Sequence, residues 1–149
     1  MVDRAFVDTN ILLRAFNPRM DHHIESEALV QKMWEGDTVL WINRQVIREY
    51  LVQVTHPGNL KTPLTTEQAL RQMQVITTLF RVADETTEVT NHLLSLLKTY
   101  PTSGKQVHDA NIVATMLANG IDTLLTLNFA DFKRFEDQIK IISLEQNTP

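Results

Sequence analysis

The sequence has 149 residues, a mass of 17.1 kDa and no cysteine, which excludes a disulfide framework, a cysteine-ligated zinc site and a thiol nucleophile. Hydrophobic residues make up 43% and charged residues 21%, proportions that exclude a disordered chain, and the length favours one domain over residues 1–149. The net charge of −4 excludes a broadly basic surface of the kind that coats nucleic acids through many phosphate contacts.

Membrane association is not expected from the distribution of apolar residues. The apolar runs are only a few residues long, which is too short for a transmembrane helix. The first residues lack the apolar segment of a secretory signal and lead directly into a strand-like pattern. We therefore expect a cytoplasmic protein.

Hydrophobic periodicity and turn residues predict alternating strands and helices along the chain. In chain order, the pattern predicts a strand over 4–8, helices over 11–16 and 21–35, a strand over 38–42, helices over 44–55 and 66–79, a strand over 80–83, helices over 86–99 and 106–118, a strand over 123–127, a helix over 129–135 and a strand over 139–143. This alternation is typical of an α/β fold. It predicts a central, mostly parallel sheet of about four or five strands flanked by helices on both faces.

Polar residues predict where three of the helices begin or end. Asp21 is the predicted N-cap of the helix over 21–35, and Asn43 is the predicted N-cap of the helix over 44–55. Asn119 and Gly120 form a pair that often ends a helix, so the helix over 106–118 is expected to stop there.

Five polar residues are expected near the carboxyl ends of the strands, where parallel sheets place their functional crevice. They are Asp8, Glu49, Asp109, Asn128 and Asp131. Asp8, Asn128 and Asp131 come soon after strands, whereas Glu49 and Asp109 lie in the early parts of helices. Each also has a purely structural interpretation, as a helix N-cap, a first-turn acid or a solvated surface side chain.

As a set, the carboxylates indicate a metal site more strongly than any of them does alone. Grouped carboxylates repel one another and are difficult to keep ionised together. Mg²⁺ or Mn²⁺ relieves this repulsion, because hard cations take oxygen ligands. Two such ions about 3.5–4 Å apart can hold a phosphodiester, so an acidic cluster is compatible with an anionic substrate.

Four local motifs resemble those of PIN-domain ribonucleases, and in particular of the VapC-type toxins of bacterial toxin–antitoxin pairs. They are residues 6–12 (FVDTNIL), residues 48–49 (RE), residues 108–114 (HDANIVA) and residues 126–132 (TLNFADF). The first and last motifs are the more specific, and the resemblance extends to the length and to the order of strands and helices. It implies a PIN-like fold and metal-dependent cleavage of RNA.

The resemblance also implies roles for individual residues. Asp8, Glu49 and Asp109 match the three acids that bind Mg²⁺ or Mn²⁺ and position water for RNA cleavage in that family. A fourth position, which often carries Asp in the family, is Asn128 here, and this departure leaves a second metal ion open. Asp131 is a further candidate metal ligand, or a helix cap.

Other polar and basic residues have candidate supporting roles. Thr9, Asn10 and Thr126 are expected to orient the metal ligands or a water molecule. Basic residues near the predicted acidic edge are candidate contacts for RNA phosphates. They are Arg14, Arg19, Arg44, Arg48 and Lys105, of which Arg14, Arg48 and Lys105 lie nearest to the acidic motifs in sequence.

The resemblance implies protein partners as well as an RNA substrate. In VapC-type toxins, helices at the positions of 21–35 and 66–79 help to bind a small antitoxin, whose tail covers the acidic site. These toxins also often form homodimers. We therefore expect an antitoxin partner and a homodimer.

Two other classes of function remain open from the sequence. The first is a non-catalytic PIN-like module that binds RNA or a protein, which Asn128 favours because it replaces an acid. The second is an aspartate-based phosphotransfer enzyme, such as a haloacid-dehalogenase-type phosphatase. That chemistry requires a second Asp two residues after the nucleophile, and residue 10 is Asn.

Overall fold

A computed structural model describes residues 2–144, which form a five-stranded sheet in which every neighbouring pair of strands is parallel. The strands are β1 (Arg4–Val7), β2 (Val39–Asn43), β3 (Arg81–Ala83), β4 (Thr123–Thr126) and β5 (Lys140–Ser143). Their order in the sheet is β3-β2-β1-β4-β5. The prediction of an α/β fold with a parallel sheet is confirmed.

Seven α-helices connect the strands in the described part of the chain. They are α1 (Thr9–Phe16), α2 (His23–Glu35), α3 (Arg44–Thr55), α4 (Thr66–Leu79), α5 (Thr87–Thr99), α6 (Gln106–Ala118) and α7 (Phe129–Phe132). From β1 to β3 the chain moves toward one edge of the sheet, and after β3 it crosses to β4 and continues to the other edge. Because parallel crossovers are right-handed, this reversal assigns α1–α4 to one face and α5–α7 to the other.

The change in direction of the chain across the sheet occurs between the neighbouring strands β1 and β4. Strands β1 and β4 lie side by side, with Phe6 opposite Leu124 and Val7 opposite Leu125, and the connections that leave them run toward opposite edges. A crevice opens at such a switch point, beyond the carboxyl ends of the two strands. Asp8 follows β1 directly, so the fold places it at this crevice.

Most predicted boundaries agree with the structure, and the differences have local causes. Helix α1 begins at Thr9 rather than residue 11, because the Asp8 side chain accepts a hydrogen bond from the Thr9 backbone amide and caps the helix. The predicted helix over 129–135 is an α-helix only to Phe132 and continues as a 3₁₀-helix, Lys133–Phe135. Short terminal turns often tighten in this way.

The prediction that Asp21 caps α2 is wrong. The N-cap is His22, which has a left-handed backbone (φ 57°) and makes no capping hydrogen bond through its side chain. The Asp21 carboxylate, in the loop before α2, instead lies 3.4 Å from the Arg14 guanidinium of α1. The predictions for Asn43, which accepts from the Val46 amide, and for the end of α6 at Asn119 are confirmed.

Apolar side chains of the strands and of both helical layers form one contiguous core. The central strands contribute completely buried residues, among them Phe6, Val7, Leu124 and Leu125. Within residues 2–144, no helix combines the length and the apolar composition needed to cross a bilayer. The core therefore fixes the backbone directly beneath the crevice at the ends of β1 and β4.

Candidate active site

Asp8 lies at the centre of the crevice and is 7% exposed. Its Oδ1 accepts a hydrogen bond from the Thr9 backbone amide at 2.8 Å, and its Oδ2 accepts from the Thr126 hydroxyl at 2.8 Å and from the Asn10 amide at 3.3 Å. Asp8 is therefore both a helix cap and a candidate ligand. The two interpretations of this residue are compatible, because capping uses only one of its carboxylate oxygens.

Burial raises the pKa of Asp8 from 3.8 to about 6. The hydrogen bonds from Thr126 and Thr9 oppose this shift, because they stabilise the ionised form, whereas the negative charges of Glu49 and Asp109 add to it. The pKa therefore responds to both other predicted acids. Asp8 shares one electrostatic environment with carboxylates that are 41 and 101 positions away in the sequence.

Thr126 and Asn10 join the end of β4 to the beginning of α1. The Thr126 hydroxyl donates to Asp8 and accepts from the Asn128 backbone amide at 3.0 Å. The Asn10 side-chain oxygen accepts from the Leu127 backbone amide at 3.1 Å, while its nitrogen donates to Asp8. These bonds hold Asp8 from two neighbouring strand ends.

Glu49 reaches the crevice from the middle of α3. Its Oε2 accepts a hydrogen bond from the Thr9 hydroxyl at 2.7 Å, and its Oε1 accepts from the Gln45 side-chain amide at 3.0 Å. Thr9 directly follows Asp8, so this bond links Glu49 to the end of β1. The side chain of Glu49 is partly buried, so it is not the freely solvated surface group that its helical position alone allows.

Asp109 approaches from the first turn of α6. Burial and the charge of Asp131 raise its pKa to about 6, Glu49 adds to the rise, and Arg134 and His108 oppose it. The influence of Asp131 brings a residue of α7 into the same electrostatic environment. Asp8, Glu49, Asp109 and Asp131 are therefore connected by mutual repulsion, as expected for carboxylates that face a common space.

The carboxylates do not form a closed cage in this structure. Within residues 2–144, no three His, Asp or Glu side chains are close enough together to hold an ion between them. Asn128 is exposed, and its side chain makes no capping hydrogen bond to α7. Asp131 is also exposed. Both side chains have oxygen atoms open to solvent beside the crevice.

A cleft of about 370 Å³ opens beside Glu49, between α3 and α6. Its walls include Arg48, Glu85, Val107 and Asn111. The Arg48 guanidinium is 3.4 Å from the Glu85 carboxylate, and both side chains are substantially exposed. Surface ion pairs of this kind contribute about 0–1 kcal/mol, so Arg48 can exchange its partner for another anion at little cost.

The other basic residues predicted to contact RNA differ in the hydrogen bonds and ion pairs that they make within the protein. Arg14 donates to the Asn10 carbonyl at 3.0 Å and pairs with Asp21, so its charge is engaged within α1 and with the loop before α2. Arg44 makes a two-nitrogen contact with Asp84, at 2.8 and 3.1 Å. Lys105 is exposed at the N-terminal end of α6, one turn before Asp109.

The sequence reasoning did not single out three residues of the site. Gln45 donates to Glu49, Asn111 donates to Gln45, and the charge of Arg134 lowers the pKa of Asp109. The Nε and Nη2 atoms of Arg134 are buried and have no hydrogen-bond partner among the described residues. Gln45 lies one helical turn before Glu49, a spacing that could have drawn attention to it. No local signal marks Arg134.

The fold and the acidic crevice define the class of this protein. A parallel sheet with its acids at the β1–β4 switch point agrees with the model of the PIN domain, which matches residues 5–138. The chain belongs to the PIN-domain family.

Individual proteins are also similar to this chain, in sequence or in structure. Ribonuclease VapC48 from Mycobacterium tuberculosis is 28% identical over 131 residues, which cover 87% of this chain and 90% of the relative. A toxin-antitoxin complex from Klebsiella pneumoniae contains a chain with a TM-score of 0.66 and 19% identity, over 93% of this chain and 96% of that chain.

A third structure, VapC20 from Mycobacterium tuberculosis, is described as a toxin that cleaves the Sarcin-Ricin loop. It has a TM-score of 0.59 and 18% identity, over 80% of this chain and 86% of that chain. At these identities the two structures establish the fold that this protein shares with them.

Proposed function

We propose that this protein is a metal-dependent endoribonuclease, with Asp8, Glu49 and Asp109 as its metal-binding carboxylates. The observation that carries the proposal is Asp8 itself, a buried carboxylate whose pKa burial raises to about 6, with a further rise from the negative charges of Glu49 and Asp109. A bound cation offsets this repulsion when the acids are ionised. The family and the name Ribonuclease VapC48 support RNA as the substrate.

The donor set fits Mg²⁺ or Mn²⁺. It consists of carboxylate oxygens, which hard divalent cations prefer, and it contains no cysteine. Asn128 and Asp131 are proposed as further oxygen donors, because both are exposed at the edge of the crevice. When bound, such an ion would act as a Lewis acid on the phosphodiester and would lower the pKa of the attacking water.

The residues of the chain would prepare the crevice for this chemistry. Thr126, Asn10 and the Thr9 amide fix the two oxygens of Asp8, and the Thr9 hydroxyl fixes one oxygen of Glu49. Ligands held in place in this way need little rearrangement when a cation binds. Arg48 is proposed to contact RNA at the cleft beside Glu49, as are Lys105 and Arg14.

The experiment is cleavage of total RNA by the purified protein, with Mg²⁺ or Mn²⁺ and with EDTA. We expect cleavage only with the metal. The variant Asp8→Asn should lower the rate about 1000-fold, because losing a charged ligand removes several kcal/mol of transition-state stabilisation. Asp3→Asn is the matched control, since Asp3 is exposed and lies before β1.

Two results would contradict the proposal. Folded wild-type protein that cleaves no RNA under any metal condition would favour the second candidate, a non-catalytic module that binds RNA or a protein. Asn128 is the observation that favours this candidate, because an amide has replaced an acid at a possible metal ligand. Equal cleavage by wild type and Asp8→Asn would instead remove Asp8 from the reaction.

We also propose that the protein is a VapC-type toxin, neutralised by a small antitoxin and active as a homodimer in the cytoplasm. The Klebsiella pneumoniae complex and the toxin VapC20 support this role, because both share the fold. Apolar side chains are exposed on α2 and α4, notably Ile24, Leu70 and Val75. Such surfaces are typical of protein contacts.

This role is tested by induced expression in bacteria. Growth should stop with wild type and continue with Asp8→Asn, and co-expression of a short reading frame adjacent to the gene should restore growth. Sedimentation of the purified protein decides between monomer and homodimer. Normal growth during expression of an active ribonuclease would contradict the toxin proposal and leave the enzyme proposal intact.

A further inference from the structure

Gln45 is a buried amide between the two helices that carry Glu49 and Asp109. Its side chain is on the first turn of α3 and is 6% exposed. The Gln45 nitrogen Nε2 donates to Glu49 Oε1 at 3.0 Å and to the His108 carbonyl at 3.4 Å. Its oxygen Oε1 accepts from the Asn111 amide nitrogen at 3.2 Å.

These partners determine the orientation of the Gln45 amide. The nitrogen faces a carboxylate oxygen and a backbone carbonyl, both of which can only accept. The oxygen faces an amide nitrogen, which can only donate. A reversed amide would leave all three contacts unfavourable, so the donor is held toward Glu49 and does not turn freely.

The contacts of Gln45 also join the two acidic helices. On α3, Gln45 holds the carboxylate one turn further along the same helix. On α6, its partners are the residue immediately before Asp109 and the residue two positions after it. Gln45 therefore connects Glu49 to the helix that carries Asp109, beside the bond from Asn43, the N-cap of α3, to Thr115 of α6. Among the described residues, neither the Glu49 nor the Asp109 carboxylate makes a hydrogen bond to the helix that carries the other acid.

We propose that Gln45 is a positioning residue for the metal site, which holds the Glu49 carboxylate in register with Asp109. Thr9 fixes Glu49 Oε2, and Gln45 fixes the other oxygen, so the two donors together set the rotation of the carboxylate. Asn111 acts through Gln45 by orienting its amide. The inference rests on the proposed metal-dependent function of Asp8, Glu49 and Asp109.

A purely structural role for Gln45 makes a different prediction. If the amide only satisfies polar groups between α3 and α6, its loss lowers the stability of the fold and leaves metal affinity unchanged. If it positions Glu49, its loss weakens metal binding even when the protein is fully folded. Hydrogen-bond partners of metal ligands typically change metal affinity 10–100-fold when they are removed.

The test is Mn²⁺ binding to the full-length protein without RNA. Electron paramagnetic resonance of the free ion measures how much Mn²⁺ remains unbound. Gln45→Met removes the amide and keeps an unbranched side chain of similar length. We expect it to weaken Mn²⁺ binding about 10-fold. Gln53→Met is the matched control, because Gln53 lies two turns further along α3, is exposed, and should keep the wild-type affinity.

A second readout separates positioning from damage to the site. RNA cleavage by Gln45→Met should recover toward the wild-type rate as Mn²⁺ is raised, because the ligands remain present and only their arrangement is less favourable. Circular dichroism and thermal melting establish that the compared proteins are folded. An Mn²⁺ affinity of folded Gln45→Met within twofold of wild type would overturn the proposal.

Asn111→Ala keeps the test decisive if Gln45→Met does not fold. It removes only the bond that orients Gln45, and we expect about threefold weaker Mn²⁺ binding, as for the loss of one ordinary hydrogen bond. Unchanged affinity in folded Asn111→Ala would then overturn the proposal. If wild type neither binds Mn²⁺ nor cleaves RNA, the proposed function and this inference both fail. If wild type does both and Gln45→Met binds Mn²⁺ with unchanged affinity, only the inference fails.

Discussion

The two sides of the crevice hold their carboxylates in different ways. On the β1–β4 side, Asp8 follows a buried strand directly and is held by a backbone amide and by short side chains next to the sheet. On the α3–α6 side, Glu49 and Asp109 extend from helices, and the longer side chain of Gln45 joins those helices. The first side is fixed by the sheet, and the second depends on contacts between helices.

This difference indicates how the site tolerates change. A strand end in a buried parallel sheet cannot move without disrupting the core, so we expect Asp8 to keep its position when a cation binds. Helices packed through polar side chains can shift more easily. We therefore expect substitutions on the β1–β4 side to act mainly on the ligand itself, and substitutions on the α3–α6 side to act mainly on the arrangement of two ligands.

The largest effect in this comparison is expected from Thr126→Val. Valine preserves the shape and removes the hydroxyl that donates to Asp8 and accepts from the Asn128 amide. Metal affinity and the rate of RNA cleavage should both fall about 10–100-fold. Thr123→Val in the same strand is the control, because the Thr123 hydroxyl contacts Asp122 instead. Equal effects of the two substitutions would show that loss of any β4 hydroxyl is enough.

A smaller effect is expected on stability from the raised pKa of Asp8. Because the folded chain binds this proton more tightly than the unfolded chain does, ionisation of Asp8 destabilises the metal-free fold progressively from about pH 4 to about pH 6. Asp8→Asn removes this charge. In EDTA it should be more stable than wild type by about 1 kcal/mol above pH 7 and should show no advantage near pH 4.

Urea unfolding of both proteins across this pH range measures the difference. The gain is smaller than the full pKa shift implies, because the asparagine amide group loses part of the hydrogen bonding that the carboxylate accepts. A stability gain that is independent of pH would mean that the Asp8 charge is not its source. Added Mn²⁺ should favour wild type, since only the carboxylate gains a cation.

The smallest effects are expected at the edge of the site. Lys105→Gln should lower RNA affinity about threefold and reduce the salt dependence by about one phosphate contact. Arg48→Gln should have slightly less effect, because release of Arg48 from Glu85 costs up to about 1 kcal/mol. Filter binding of RNA to the Asp8→Asn background at several salt concentrations compares the two. A larger effect of Arg48→Gln would mean that the main phosphate contact is at the cleft beside Glu49 rather than at Lys105.

Much of the fold was predictable because its signals are local. The bounds of α3, α4 and α6 agree with the sequence prediction, since apolar periodicity and turn residues mark each helix within a few positions. The interpretation of Asp21 failed for a tertiary reason. Its carboxylate lies near Arg14 of the preceding helix, and no local pattern encodes that choice.

The candidate site was predictable to a different extent on its two sides. The sequence alone determined that Asp8 lies at a strand end and that other acids follow strands or begin helices, because residue order and periodicity suffice for this. Tertiary structure decided which side chains orient them. The bond from Thr126 to Asp8 spans 118 positions and the bond from Asn111 to Gln45 spans 66. Such contacts form only when the packing of the sheet and helices brings distant residues together, so their geometry depends on the whole fold.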